Sequence, residues 1–378
     1  MKIVLTGGGT GGHFYPLIAI AQSIADIADA ENLASPRIYY FSTSPYNEEL
    51  LFENNITYRN VPAGKLRLYF SLKNITDVFK TIWGIAVALK NLFDVYPDVV
   101  MGKGGYASFP TVVAAWILRI PIIIHESDSA PGRVNLIVGK YFATRIALSW
   151  QEAAAYFPQQ QHKIAHTGQP IRNGIRYPQS DGAHEYLELE SNIPIVLILG
   201  GSQGAQIINE TVISSLPTLL NDYQIIHQTG AQHIASIEQT AQGIIADHPH
   251  KNRYRPFAYL NDLAMSMSAG IANLVVSRAG STIFEIAHWG VPSIVVPFDV
   301  SNNDHNRKNA YNYARAGAAV VIEERNMLPH VLTEEIIRIL SDQNLQSRMH
   351  DRAQAFFVPN AEHIIAQEII NLALPHEQ

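Results

Sequence analysis

His13 stands at the end of Gly7-Gly8-Gly9-Thr10-Gly11-Gly12, a turn that follows directly on the short apolar run Ile3–Leu5. An imidazole takes up and releases a proton near neutral pH, and glycines let a ligand come close to the backbone. A helical pattern follows, with Leu17, Ile18, Ala21, Ile24 and Ala25 on one face. Strand, glycine turn and helix in that order aim the first helical N–H groups at an anion, most simply a phosphate or sugar phosphate. Gly7, Gly9 and Gly12 also have the dinucleotide-binding spacing. A nicotinamide cofactor, however, wants an acidic residue at the end of the second strand to hold its ribose. The sequence there runs Ser42-Thr43-Ser44-Pro45, with no acid before Glu48, which argues against a dehydrogenase.

Five further clusters of glycine or polar residues follow apolar runs. Pro97–Met101 reads as a strand leading into the second glycine turn, Gly102-Lys103-Gly104-Gly105-Tyr106-Ala107-Ser108. Ile122–Ile124 leads into His125-Glu126-Ser127-Asp128, either a site or a turn that caps the next helix through Ser127 or Asp128. Ile193–Leu199, Gly200–Ala205 and a helix over 207–220 repeat the opening pattern about 190 residues later, the spacing of separate domains. Asn273–Val276 runs into Ser277-Arg278-Ala279-Gly280-Ser281-Thr282, which opens a helix carrying Glu285. Ser281 and Thr282 supply donors at a helix start, and Glu285, within one turn of them, can accept two ribose hydroxyls. The bland alternative is a solvated surface glutamate. Asp304–Asn309, rich in amide and histidine, begins another helix after the apolar stretch Gly290–Pro297.

These clusters all fall at the carboxyl ends of apolar strands, where open α/β sheets bind ligands. The chain of 378 residues is long enough for two domains, and its pattern predicts two Rossmann-like, doubly wound α/β domains whose glycine turns face a shared cleft. The expected division is 1–167 and 168–359, with the polar stretch from Pro158 to Asn192 holding the linker and the last helix, 360–378, crossing back onto the first domain. A net charge of −6 argues against a nucleic-acid partner. With no cysteine, thiolate chemistry and disulfides are excluded. No secretory signal is visible, and the apolar stretch Thr111–Ile124 is too short to span a bilayer, so a soluble cytoplasmic protein is the default. Between Lys65 and Phe70 lies a basic-aromatic loop including Arg67, followed by Val78, Phe79, Ile82, Trp83 and Leu89 on one helical face beside Lys73, Lys80 and Lys90. That face either packs on a sheet or rests on anionic lipid.

In order along the chain, Gly8–His13, Gly104–Ser108, His125-Glu126, Gly168–Arg172, Gly200–Ala205 and Ser277–Gly280 with Glu285 resemble the motifs of glycosyltransferase family 28, in particular its peptidoglycan-synthesising N-acetylglucosaminyltransferases. The resemblance implies the GT-B fold and inverting transfer of N-acetylglucosamine from UDP-N-acetylglucosamine to the 4-hydroxyl of muramic acid in lipid I, giving lipid II. It implies no cofactor and no metal at the diphosphate, in keeping with the lack of an Asp-x-Asp run. It matches His13 to the proposed base and adds Glu126 as a catalytic candidate. Thr10, Gly11, Gly12, Asp128, Arg172, Ser202, Ser281, Thr282 and Glu285 match the family's donor-site motifs. By the same resemblance, Leu260 reads the uracil edge through its backbone, and Asn306 and Asn309 lie near the sugar. Lys65, Arg67, Tyr106, Phe79 and Trp83 match the acceptor and membrane side, on the cytoplasmic face of the cell membrane as a peripheral protein. Where the family usually has an amide, this sequence has Asp128, a carboxylate that accepts and cannot donate. Other GT-B enzymes (a diacylglycerol glycosyltransferase, a UDP-sugar 2-epimerase) and a non-catalytic sugar-nucleotide-binding scaffold are the rival readings.

Overall fold

The structure, a computed structural model, describes residues 1–65, 72–200, 204–299 and 304–374. It divides into two compact units, Met1–Arg172 with Val358–Gln378, and Asn173–Phe357.

The first unit is built on a parallel sheet of β1 (Lys2–Thr6), β2 (Arg37–Ser42), β3 (Ile56–Asn60), β4 (Val99–Gly102), β5 (Ile122–Glu126), β6 (Arg145–Leu148) and β7 (Ile164–His166), in the order β3-β2-β1-β4-β5-β6-β7. Ile3, Val4 and Leu5 are buried in succession, as befits a strand covered on both faces. The order reverses between β1 and β4, and their register sets Thr6 beside Gly102. The two glycine turns therefore leave the sheet side by side. Helix Gly11–Ala30 covers one face through Phe14, Leu17, Ile18 and Ile24. Ile365, Ala366, Ile369 and Ile370 of helix Ala361–Ala373 complete the same core, so the chain's last helix belongs to this unit.

The second unit repeats the plan. Its strands are β8 (Ile195–Leu199), β9 (Gln224–Gln228), β10 (Tyr254–Phe257), β11 (Leu274–Arg278), β12 (Ser293–Val296) and β13 (Ala319–Val321), ordered β10-β9-β8-β11-β12-β13 and all parallel. Here the order reverses between β8 and β11, and Leu199 pairs with Ser277. Tyr177–Asn192 does not act as a free linker. The Glu190 N–H donates to Gln224 Oε1 at 2.7 Å, Gln224 Nε2 donates back to the Glu190 carbonyl at 2.8 Å, and Arg253 Nε meets the Glu190 carboxylate at 2.9 Å. A buried strand glutamine thus fixes a stretch whose polarity reads as solvent-exposed.

His227 lies fully buried in β9. Asn209 Nδ2 donates to the Thr229 carbonyl, so Asn209 Oδ1 accepts from His227 Nε2 at 3.0 Å, and Nδ1 accepts from Tyr254 Oη at 3.0 Å. Both ring nitrogens are committed in the neutral form, and burial pushes the imidazole down to about 3. A histidine with a depressed folded-state value is protonated more readily when unfolded, so stability falls as the pH drops below the unfolded value near 6.5. From pH 7 to pH 5 this residue alone is expected to remove about 2 kcal/mol. Urea unfolding of the wild type and of His227→Gln at both pH values checks this, with a smaller pH dependence expected in the variant.

Candidate active site

Thr10 is the N-cap of the first helix, with extended backbone. Its hydroxyl leaves the helix N–H groups alone and meets His13 Nδ1 at 2.9 Å, while the His13 N–H donates to the Thr10 carbonyl at 3.1 Å. The side chain of His13 is thereby held from its Nδ1 edge. A Cβ on Gly105 would lie 3.6 Å from His13 Nε2 and 3.0 Å from the Gly8 carbonyl oxygen, so the imidazole lies against the second glycine turn. Gly8 has φ +147°, and a Cβ there would collide with the Ser42 hydroxyl; Tyr40 Oη donates to the Gly7 carbonyl at 3.0 Å. The geometry of this turn is closed to side chains before any ligand arrives. Gly11 is similarly pressed by Tyr15 and Tyr46, each 2.9 Å from where its Cβ would stand, and Gly12 follows it in the helix's first turn. Tyr106 lies 3.4 Å from a Cβ on Gly9, and Lys65 Nζ stands 5.4 Å from the Tyr106 ring centre.

Behind His13 is a buried polar network. Lys103 Nζ donates to Ser127 Oγ, which donates to Gln169 Oε1 at 2.7 Å; Ser149 Oγ donates to the same oxygen at 2.9 Å. His125 Nε2 meets the Gly168 carbonyl at 3.0 Å and Ser149 Oγ at 3.1 Å. These bonds tie Gly168 and Gln169 to the ends of β5 and β6, so the segment through Arg172 packs within the first unit. Arg172 is buried there with its guanidinium 4.1 Å above the Tyr15 ring. Glu126 is also buried. Its Oε1 accepts the Asp128 N–H at 2.9 Å, and its Oε2 accepts the Gly132 N–H and Asn135 Nδ2, both at 3.0 Å. Both carboxylate oxygens are engaged in shaping the loop that carries Asp128.

The charges act on one another. Burial pushes the Lys103 ammonium down to about 8, against the pull of Glu126 and Asp128. Burial and then Asp128 push the Glu126 carboxyl up, opposed by Lys103. For His13, burial and then the Lys103 cation push the imidazole down to about 4, with Asp128 opposing. Lys103 sits in a turn that the sequence marks, yet only its burial shows it to be an internal cation. Its signal was a lysine placed directly between an apolar strand and two glycines.

In the second unit the Ser277–Thr282 turn leaves β11 at the switch point. Asn309, buried, donates from Nδ2 to the Ala279 carbonyl at 3.2 Å and so holds this turn rather than opening onto solvent. Arg278 is tied to Glu324 at 2.6 Å, with its guanidinium 4.1 Å above the Phe298 ring. Among the described residues, nothing lies within 4 Å of where a Cβ on Gly280 would stand, and its φ is unexceptional. Ser281 caps helix Thr282–Trp289, with Thr282 its first residue and Glu285 in its first turn, all three half-buried. Asn306, on helix His305–Arg315, has a buried Oδ1 with no hydrogen-bond partner among the described residues. Leu260 is fully buried, and its N–H donates to Gln228 Oε1 at 3.0 Å. Ser202 and Arg67 lie outside the described residues. Among the described residues, no group of three or more acidic or histidine side chains is placed to hold a metal ion.

Helix Leu72–Val95 carries the apolar face. Phe79 is 67 % and Trp83 64 % exposed, with Ile75, Val78 and Ile82 also turned to solvent. On the adjacent helix Phe109–Ile117, Trp116 and Ile117 are exposed as well. No helix among the described residues is long and apolar enough to cross a membrane.

Models of the glycosyltransferase family 28 N-terminal and C-terminal domains match residues 3–148 and 195–365. The chain belongs to glycosyltransferase family 28. It is accordingly a hexosyltransferase of GT-B fold. Among similar members, a Bacillus thuringiensis (strain Al Hakam) protein named UDP-N-acetylglucosamine--N-acetylmuramyl-(pentapeptide) pyrophosphoryl-undecaprenol N-acetylglucosamine transferase 3 is 34 % identical, over 89 % of this chain and 90 % of that one. A Halothermothrix orenii transferase of the same name, without the number, is 32 % identical over 99 % of both chains. The crystal structure of Acinetobacter baumannii MurG superposes with a TM-score of 0.72 at 25 % identity, over 98 % of this chain and 99 % of that one. In the family 28 chain, then, the two switch-point turns have different relations to the fold: Gly8 is required by it and Gly280 is not.

Two outcomes follow from this geometry. Heteronuclear NMR of the His13 ring is expected to show a neutral imidazole from pH 7 down to about 5, since its value of about 4 lies below that range; a midpoint near 6.5 would contradict the burial argument. Gly8→Ala is expected to destabilise the protein by about 1–3 kcal/mol or more, through backbone strain and the Ser42 collision. Gly280→Ala is expected to stay within about 0.5 kcal/mol of wild type, with thermal unfolding as the measurement.

Proposed function

We propose that the protein transfers N-acetylglucosamine from UDP-N-acetylglucosamine to the 4-hydroxyl of muramic acid in lipid I, with inversion, yielding lipid II and UDP. The observation that carries this reading is the match along nearly the whole chain to relatives bearing the transferase name. In the first unit, His13 is the general base. With Nδ1–H donated to Thr10 Oγ1, the Nε2 lone pair takes the acceptor proton as the acceptor oxygen bonds to the anomeric carbon. The bond from that carbon to the diphosphate oxygen breaks, and its electron pair leaves with UDP. A value lowered to about 4 keeps the ring in its basic form across the neutral range, and an arriving diphosphate raises its proton affinity.

Glu126 is a positioning residue in this reading, because its oxygens already hold the Asp128 loop. Thr10, Gly11, Gly12, Asp128 and Arg172 serve the substrate phosphates and sugar from the first unit. From the second, Ser202, Ser281 and Thr282 meet the diphosphate and Glu285 accepts the ribose hydroxyls. Leu260 has its N–H committed to Gln228, which leaves its carbonyl to meet the uracil N–H. Asn306 offers the sugar a buried Oδ1 that is otherwise unpartnered, while Asn309 acts through the Ala279 carbonyl. No metal or other cofactor is required, since helix N-terminal N–H groups and hydroxyls stabilise the departing diphosphate. Lys65, Arg67 and Tyr106 flank the acceptor, and the Phe79–Trp83 face rests on the cytoplasmic surface of the membrane as an interfacial helix does. The protein is thus peripheral.

UDP release measured with and without a lipid I analogue tests the reaction. Release only with the analogue is expected; release with diacylglycerol, or conversion of the sugar nucleotide alone, would favour the rival enzymes. His13→Ala is expected to lower turnover by about 10²–10⁴-fold with nucleotide binding intact, and unchanged turnover would remove the residue from the reaction. Gly280→Ala, neutral for folding, is expected to raise the KM for the sugar nucleotide about tenfold or more by denying it the backbone; an unchanged KM would move the donor elsewhere.

A further inference from the structure

At the carboxyl edge of the second sheet the register brings three strand ends level. Arg278 of β11 stands beside Val296 of β12, and Val295 beside Val321 of β13. Two glutamates, Glu323 and Glu324, follow β13 directly after Ile322. A free carboxylate close to a diphosphate would repel it. Neither glutamate is free, because each is spent on a guanidinium and one further donor. Glu324 Oε1 accepts from Arg278 Nη2 at 2.6 Å, and its Oε2 accepts the Asp299 N–H at 2.9 Å. Glu323 Oε1 accepts from Arg307 Nε at 3.0 Å and from Tyr311 Oη at 2.5 Å.

Two adjacent residues thereby join three segments. Arg278 belongs to the turn that opens helix Thr282–Trp289, and Asp299 to the loop that leaves β12. Arg307 and Tyr311, four residues apart, share one face of helix His305–Arg315. Arg278 is buried, and its Nη1 donates to the Val296 carbonyl at 3.3 Å. Its Nε has no hydrogen-bond partner among the described residues, so Glu324 supplies the one charge-assisted bond that this guanidinium makes among them. Burial pushes the Glu324 carboxyl up, but the Asp299 N–H and Arg278 outweigh it and hold the group below its ordinary value. The brace is therefore charged throughout the neutral range.

We propose that Glu323 and Glu324 are positioning residues of the donor site. They fix the spacing between the Ser277–Thr282 turn and helix His305–Arg315, the two segments from which Ser281, Thr282, Glu285 and Asn306 meet the sugar nucleotide. Glu324 acts on the diphosphate and ribose contacts through Arg278. Glu323 acts on the sugar contact of Asn306 through the next residue, Arg307. The inference rests on the reading of the second unit as the donor domain.

Calorimetric titration of the full chain with UDP and with UDP-N-acetylglucosamine tests this apart from turnover. Glu324→Ala is expected to weaken both about tenfold, the scale of a lost hydrogen bond to a charged group. Glu323→Ala is expected to weaken UDP-N-acetylglucosamine more than UDP. Glu335→Ala breaks an ion pair of 2.8 Å on helix Pro329–Ser341, away from the donor contacts, and is expected to bind both as the wild type does. In the reaction, Glu324→Ala is expected to raise the KM for the sugar nucleotide with kcat within about threefold, as loss of binding common to ground and transition states requires. Amide hydrogen exchange reads the brace itself: in Glu324→Ala the Asp299 N–H is expected to exchange faster, and the amides of β8 and β9 at wild-type rates. Wild-type affinities in that variant would overturn the positioning role and leave the donor reading in place. Lost affinity with unchanged exchange at Asp299, or with faster exchange across β8 and β9, would overturn it too. A wild-type protein that binds neither nucleotide would sink the donor reading, and this inference with it.

Discussion

In the first unit, two turns stripped of side chains cross at the ends of β1 and β4, and His13 has its place only because they do. A Cβ on Gly8 would strike the Ser42 hydroxyl, and one on Gly105 would crowd both the Gly8 carbonyl and the imidazole. The parallel sheet forces the encounter, since its order reverses between these strands and the register sets Thr6 beside Gly102. What remains is a short backbone-lined approach to Nε2, with the ring fixed from its other edge by Thr10. A side chain held in this way, in the first turn of its helix, has little freedom to move, and small misplacements of a reacting atom are costly in rate.

The same crowding sets the electrostatics. A lysine, a glutamate and a histidine are buried within one network at the ends of β4 and β5. Burial alone disfavours charge on each, and only their mutual pairing with hydroxyl, amide and backbone groups makes the arrangement tolerable. Lys103 reaches Ser127 and through it Gln169; Glu126 gathers two backbone N–H groups and Asn135. The ring of His13 sits at the edge of this network, and burial first, then the Lys103 cation, hold the imidazole neutral against the pull of Asp128.

The two units use one topology for different purposes. In the first, the glycines of the switch-point turn are occupied by the protein's own side chains, so the fold itself demands them. In the second, no described residue comes within 4 Å of a Cβ on Gly280, and Asn309 holds the turn through the Ala279 carbonyl. A glycine that neither strain nor described packing requires leaves room at a helix N-terminus, where N–H groups favour an anion.

The apolar runs, their strand-like lengths and the turns that follow them determined two α/β halves and the candidate positions His13, Asp128, Ser281 and Glu285, because parallel strands buried on both faces leave a direct imprint on the sequence. The motifs in order were enough for the family. Local pattern carries no record of contacts between distant segments, and those decided the rest. The polar stretch Tyr177–Asn192 reads as a linker, yet Gln224 and Arg253, far along the chain, hold it in place. Glu126, a catalytic candidate by resemblance, has its oxygens engaged by N–H groups of its own loop and by the Asn135 amide, contacts that the sequence does not record. Lys103 stands in the sequence only as a member of a glycine turn, and its burial depends on the assembled sheet. Residue type and spacing specify which groups are available; burial and partners, which depend on the assembled sheet, decide the charge each one bears and whether it is free to react.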